Sequence, residues 1–204
     1  MKLAIVGGTG AFGRALAKRL AELGQDEIVV GSRDAERARA TAEELGVEGG
    51  RNQDIVGDVD LVVLAVKSNA TLSTAAELAE AIGKTPVLCV ASDLRFSDEG
   101  VLPGKHQGSL AEEVARVVRA PVASGLQSFA AANVLDGDPG DALICGADSD
   151  AKTRALELAE RLGARAIDAG PLENSRALEG MTSVILNVNK RYKAHAGIRL
   201  TGLP

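Results

Sequence analysis

Gly8-Thr9-Gly10-Ala11-Phe12-Gly13 follows the apolar run Leu3-Ala4-Ile5-Val6 and opens a segment with Phe12, Leu16, Leu20 and Leu23 at helical spacing. A strand, a glycine-rich turn and a helix in that order make a cradle for a pyrophosphate. The unpaired N–H groups at the helix N-terminus and the positive end of its dipole both face the anion. Glycine is required because a Cβ would block either the tight turn or the close contact between helix and strand. Flanking context carries this reading, since the same glycines without a strand before them and a helix after them are a common structural turn. The chain is therefore expected to be an α/β protein with a doubly wound parallel sheet that binds a dinucleotide.

The next apolar run, Glu27-Ile28-Val29-Val30-Gly31-Ser32-Arg33, decides which dinucleotide. An NAD site usually ends this strand on Asp or Glu, bonded to the ribose 2′-OH, whereas a 2′-phosphate needs donors and positive charge. Here Ser32 and Arg33 stand at the tip and Arg37 follows one helical turn later. That set favours NADP. The alternative is that Ser32 caps the following helix, with Asp34 a second good cap, while Arg33 and Arg37 are solvated charges; capping and phosphate binding are compatible.

Composition narrows the class. The chain has 204 residues, 46% of them hydrophobic, a formal net charge of −5, no Trp, one Tyr and three Phe. An acidic chain without stacking platforms lacks the means to grip single-stranded nucleic acid, so no nucleic-acid partner is expected. Cys89 and Cys145 lie far apart inside apolar runs with no neighbouring His, which reads as two buried thiols in reducing, cytoplasmic surroundings and not as a disulfide or a metal site. No apolar stretch approaches the length of a membrane span, and the apolar start reads as a strand and not a signal peptide.

Along the chain, β-rich runs at residues 2–6, 28–30, 61–66, 86–90 and 122–124 alternate with helix-like segments such as 35–45, 72–82 and 110–118. Ligands of such sheets lie beyond the carboxyl ends of the strands, which makes Val66, Lys67 and Ser68 candidates for cofactor contact. Residues 96–108, with two acids, three glycines and Pro103, read as a long loop or lid. Beyond about residue 125 the pattern changes: strands are expected at 142–145 and 164–169 around a helix whose apolar face is Ala155, Leu158, Ala159 and Leu162, with Ser149 or Asp150 as its cap and Gly163 as its stop. The division expected is a dinucleotide-binding domain over 1–125 and a smaller α/β domain over 126–204. A long helix at 173–189, apolar on more than one flank, suits either a subunit interface or burial under the sheet, and the basic stretch 190–195 after it is either a solvated helix end or an edge for an anionic ligand. His106 and His195 stand apart from any Ser, Cys or acid pattern of recognisable spacing, so no catalytic acid, base or nucleophile is assigned. Hydride transfer between two bound rings needs none, because the protein's work is then positioning.

Nearly the whole chain resembles a known family, the NADPH-dependent reductases of coenzyme F420, an 8-hydroxy-5-deazaflavin. The resemblance rests on Ile5-Val6-Gly7-Gly8-Thr9-Gly10-Ala11-Phe12-Gly13, Val30-Gly31-Ser32-Arg33 and Cys145-Gly146-Ala147-Asp148. Most specific are Asp168-Ala169-Gly170-Pro171-Leu172-Glu173-Asn174-Ser175-Arg176 and the closing stretch from Asn189 to Leu203. It implies a Rossmann domain for NADP(H), a smaller C-terminal domain shaping the deazaflavin cleft, direct hydride transfer between stacked rings, and a homodimer. By position it implies Thr9, Ser32, Arg33 and Arg37 at the 2′-phosphate, and Ala65, Val66 and Ala91 beside the nicotinamide. The deazaflavin is implied near Leu126-Gln127-Ser128-Phe129, where Gln127 replaces the His typical of the family. Two other readings stay open on the same residues: an NADP-dependent reductase of another small acceptor, and a dinucleotide-binding sensor or accessory protein without turnover.

Overall fold

The computed structural model describes residues 1–203 apart from His106 and Asp148. Lys2–Val6 (β1) leads through Ala11–Leu23 (α1) to Glu27–Ser32 (β2), then through Ala35–Leu45 (α2) to Glu48–Arg51 (β3). A short turn of helix, Asn52–Ile55 (α3), returns the chain to Leu61–Leu64 (β4), followed by Ser68–Ile82 (α4) and Val87–Cys89 (β5). A hairpin of Leu94–Ser97 (β6) and Gly100–Pro103 (β7) precedes Leu110–Val117 (α5), Val122–Ser124 (β8) and Ala131–Asp136 (α6). Asp141–Gly146 (β9), Asp150–Arg161 (α7), Arg165–Asp168 (β10) and Ser175–Tyr192 (α8) complete the order.

Eight strands form one sheet in the order β10-β9-β8-β5-β4-β1-β2-β3. From β3 to β8 every pairing is parallel; β9 lies antiparallel to β8, and β10 parallel to β9. The strands contributed by residues 126–204 thus extend the sheet built by residues 1–125. Parallel strands covered on both faces read as unbroken apolar runs, and β1 shows why. Leu3 and Ile5 join the core under α1 and α7, with Leu16, Leu20, Leu158 and Leu162. Ala4 and Val6 join the opposite core under α4 and α5, with Leu78, Ile82 and Val114. After β1 the chain winds outward through β2 and β3; after α3 it restarts on the other side of β1 at β4. The crevice between the carboxyl ends of β1 and β4 is therefore the switch point where such sheets bind ligands.

The structure corrects four expectations. Residues 96–108 were expected as a loop, but the hairpin occupies most of that span, tied to α8 by the Asn187 carboxamide, which accepts from the Val101 N–H at 3.0 Å and donates to the Val101 carbonyl at 2.6 Å. His106 lies outside the described residues. β3 was not expected at all, since Glu-Gly-Gly-Arg carries no apolar signal; its glycines are needed because a Cβ on Gly49 would stand 2.6 Å from the Ala42 Cβ. The strand expected at 61–66 stops at Leu64, where the chain turns into the crevice. Finally, α8 starts later and runs further than 173–189: a 3-10 turn takes Leu172–Asn174, and the helix continues through Lys190 and Arg191 to Tyr192. Among the described residues, no helix is long and apolar enough to cross a membrane.

Candidate functional site

At the switch point the glycine-rich turn folds back on itself. The Gly8 N–H is shared between the Ile5 and Gly31 carbonyls, 3.0 Å from each, and the Gly10 N–H donates to the Gly7 carbonyl at 2.9 Å. Gly7 has φ +82°, and a Cβ there would lie 2.7 Å from the Ala65 carbonyl and 2.8 Å from a Val66 methyl. A Cβ on Gly13 would lie 2.6 Å from the Gly7 carbonyl, so the first turn of α1 sits directly against the loop. Gly10 is the N-cap of α1 and supplies no side-chain cap, which leaves the first N–H groups of the helix open to an anion. The N-cap of α4, Lys67, likewise makes no side-chain cap.

These elements surround a cleft of about 640 Å³ lined by Thr9, Gly10, Ser32, Arg33, Arg37, Ala65, Val66 and Lys67 from the sequence-derived set. Gly8, Ala11, Phe12 and Gly13 shape the turn and helix without lining the cleft, and Phe12 packs against the core. Asp34, not Ser32, caps α2, accepting from the Glu36 N–H at 3.0 Å and the Arg37 N–H at 3.2 Å. Ser32 is left at the strand tip, its hydroxyl oxygen accepting from the Asp34 N–H at 3.2 Å. The Arg37 guanidinium donates to the Thr9 carbonyl at 3.4 Å, while Arg33 is exposed beside it. Three cations, Arg33, Arg37 and Lys67, and no carboxylate belong to the described lining of this cleft. Such a wall suits a phosphate-bearing ligand.

Sequence reasoning missed Gly7, Asn52, Asn69, Ala70, Ser73 and Thr74 as lining residues. Gly7 adjoins the motif and was within reach of it. The others depend on how α3 and α4 dock, which no local pattern announces.

Ala91, Gln127 and Phe129 do not line the large cleft. Ala91 and Phe129 are buried in the two apolar cores beneath the carboxyl ends of β5 and β8. Gln127 is 8% exposed; its carboxamide donates to the Ser124 hydroxyl at 2.7 Å and the Cys89 carbonyl at 3.4 Å. Its Oε1 has no partner among the described residues. Nearby, Leu178 and Met181 of α8 and Ile198 of the tail close a small gap over Gln127 and Ser128.

No described carboxylate, imidazole or thiol lines the large cleft. Burial pushes the Cys89 thiol up to about 12 and the Cys145 thiol up to about 11, so both are poor thiolates. Glu112 is held down to about 2 by the Arg176 guanidinium, an ion pair joining α5 to α8. Glu179, buried in α8, has its pKa raised by burial. His195 lies in the exposed tail, where its carbonyl accepts from the Asn133 carboxamide at 2.5 Å. The arrangement can bind and orient; it does not display general acid–base machinery.

Comparisons with known proteins agree with this geometry. The family described as NADP oxidoreductase, coenzyme F420-dependent, matches residues 2–91. The F420-dependent NADP reductase of Methanothermobacter marburgensis is 37% identical over 228 residues, covering all of both chains. That of Methanothermobacter thermautotrophicus is 35% identical over 230 residues, covering all of this chain and 96% of its relative. A crystal structure from Arthrobacter sp. FB24, provisionally described as an F420-dependent NADP reductase, superposes with a TM-score of 0.87 at 25% identity, covering 99% of this chain and all of the other.

Proposed function

Because the chain belongs to the F420-dependent NADP reductases, we propose that it moves a hydride directly between NADP(H) in the switch-point cleft and coenzyme F420. The observation that carries this reading is the cleft itself: a glycine turn with no room for a Cβ at Gly7 or Gly13, walled by Arg33 and Arg37 with no acid among its described lining residues. Residues 1–125 hold the dinucleotide in this reading, and residues 126–204 shape the acceptor side.

The nicotinamide and the deazaflavin each supply a ring carbon that gives or takes a hydride. Everything else falls to the chain. Open N–H groups at the start of α1 hold the pyrophosphate, and Ser32, Arg33 and Arg37 hold the 2′-phosphate with Thr9 beside them. Ala65, Val66 and Lys67 border the nicotinamide beyond β4. Ala91, Gln127 and Phe129 form the floor on the acceptor side, and Gln127 Oε1 offers an acceptor there. No protein acid enters the hydride step, so rate derives from holding two rings in register.

Two copies associate in the same proposal. Val184 is 60% exposed and Tyr192 70% exposed on α8, and Phe96 of the adjoining hairpin is 74% exposed, a set of large apolar groups on neighbouring elements that a second chain would cover. The free buried thiols Cys89 and Cys145 suit a reducing, cytoplasmic setting. The test is turnover with oxidised deazaflavin and either NADPH or NADH. Loss of deazaflavin absorbance with NADPH and a far slower loss with NADH supports the reading; no loss with either nucleotide refutes it.

A further inference from the structure

Two loops leave the carboxyl ends of β5 and β8 on the acceptor side, and both are tied to α8, an element that starts only at Ser175. Thr182 makes the central link. Its hydroxyl lies 2.9 Å from the Ser92 hydroxyl, 3.2 Å from the Gln127 carbonyl and, further off, 3.4 Å from the Leu178 carbonyl of its own helix. A threonine hydroxyl has one proton to give; donating it to Gln127 leaves its oxygen to accept from Ser92, so one group bridges both loops. One turn earlier, Glu179 accepts from the Asp93 N–H at 3.1 Å and from the Ala111 N–H at 3.3 Å. Glu179 is 3% exposed, so its two bonds are made away from water, while Thr182 and Ser92 are half-buried.

The second loop shows why it needs holding. Leu126, next to Gln127, has φ +67°, a left-handed conformation that is strained for a branched side chain and persists only where surroundings enforce it. Leu126 is buried at 2% exposure and the Phe129 N–H donates to its carbonyl at 3.0 Å. The Thr182 bond pins the following peptide.

We propose that Thr182, seconded by Glu179, is a positioning residue: through it α8 sets the separation of the loops at 91–93 and 125–128, and with it the space in which the acceptor ring meets the nicotinamide. This rests on the hydride-transfer reading above. The motif from Asp168 to Arg176 then has a purpose of its own. Asp168 accepts from the Lys152 ammonium at 2.8 Å and the Gly170 N–H at 2.8 Å, Ser175 shares a 2.6 Å bond with Ser109, and Arg176 pairs with Glu112. Each of these contacts fixes where α8 begins, and so where Thr182 lands.

The test compares the parent with Thr182→Val, which keeps the shape and removes the hydroxyl, and Thr182→Ser, which restores it. In Thr182→Val, amide exchange in residues 91–94 and 125–129 should quicken about tenfold, with residues 7–13 unchanged. Single-turnover hydride transfer should slow roughly tenfold while NADP affinity stays within about twofold. Thr182→Ser should behave as the parent does. Ser92→Ala, which removes one arm of the bridge, should quicken exchange in residues 91–94 if Thr182→Val does not fold. Exchange is read without any acceptor, so a parent that fails to reduce deazaflavin refutes the functional reading and leaves the exchange result to decide the bridge. Parent-like exchange in both loops of Thr182→Val, or in 91–94 of Ser92→Ala should that variant be needed, overturns the proposal. So does a fall in NADP affinity equal to the fall in rate.

Discussion

The Arg37 guanidinium reaches the Thr9 carbonyl across 3.4 Å, so the helix after β2 is tied to the turn after β1 at the mouth of the cleft. Arg33, one turn earlier and exposed, makes no such tie among the described residues. The two arginines consequently do different work.

Arg33→Ala should cost about 1.5–3 kcal/mol of NADP binding, roughly ten- to a hundredfold, because a charge-assisted bond to the 2′-phosphate is lost. NAD affinity should stay nearly constant. Arg37→Ala should weaken NADP and also loosen the turn, so NAD binding falls as well. Titration of both variants with both nucleotides checks this, and equal losses for NAD and NADP in Arg33→Ala would make Arg33 a surface charge only.

Gly13→Ala puts a Cβ 2.6 Å from the Gly7 carbonyl and 2.9 Å from the Gly8 Cα, and backbone atoms cannot swing aside as a side chain can. Overpacking of this kind costs about 1–3 kcal/mol. Gly10→Ala meets the same carbonyl at 3.2 Å and should cost less. Urea unfolding orders the two variants, and a more stable Gly13→Ala would contradict the close packing of α1 on the turn.

Much of this was legible beforehand because β1, β4 and β5 are buried on both faces and so spell themselves as apolar runs. Ser32, Arg33 and Arg37 were legible as cleft-lining residues because they stand at and just beyond the tip of β2, on the carboxyl edge of the sheet. β3 was not, since its glycines answer to close packing, of α2 on Gly49 and of Ile55 on Gly50, and not to any strand preference. Asn52 and Thr74 were hidden for a similar reason: α3 and α4 bring them to the cleft only once the sheet exists. The stretch 96–108 misled because a short hairpin outside the main sheet needs only a turn and one glycine, here Gly100 at φ +131°.

Stability should fall in acid partly through Glu112. Its carboxyl is held at about 2, chiefly by hydrogen bonds from Arg176, against an ordinary 4.5. A carboxylate depressed by folding stabilises fully above its ordinary value and loses that contribution as pH falls toward the folded one. Arg176 is half exposed, so solvent screening leaves the pair only a modest contribution. Glu179 acts in the opposite sense, since burial raises its pKa and protonation relieves a cost as pH falls. Urea midpoints at pH 7 and pH 3 should drop less steeply in Arg176→Ala than in the parent, and an unchanged drop would show that Glu112 contributes nothing.

Val184→Lys should leave the fold intact and halve the mass in solution, because a charge replaces a 60% exposed apolar side chain on the face assigned to the second copy. Light scattering on the eluting protein measures this. A parent that elutes as a single chain would contradict the paired arrangement.

Direct transfer of hydride from one ring to the other is read most plainly by deuterium. NADPH carrying deuterium at the transferring position of nicotinamide C4 is mixed with the protein and oxidised deazaflavin in ordinary water, and the reduced deazaflavin is weighed by mass spectrometry. The receiving atom is carbon, so a transferred label does not wash out. Deuterium in the reduced deazaflavin, one per NADPH consumed, is the predicted result; unlabelled product, or NADPH left unconsumed with the deazaflavin unchanged, would contradict the account.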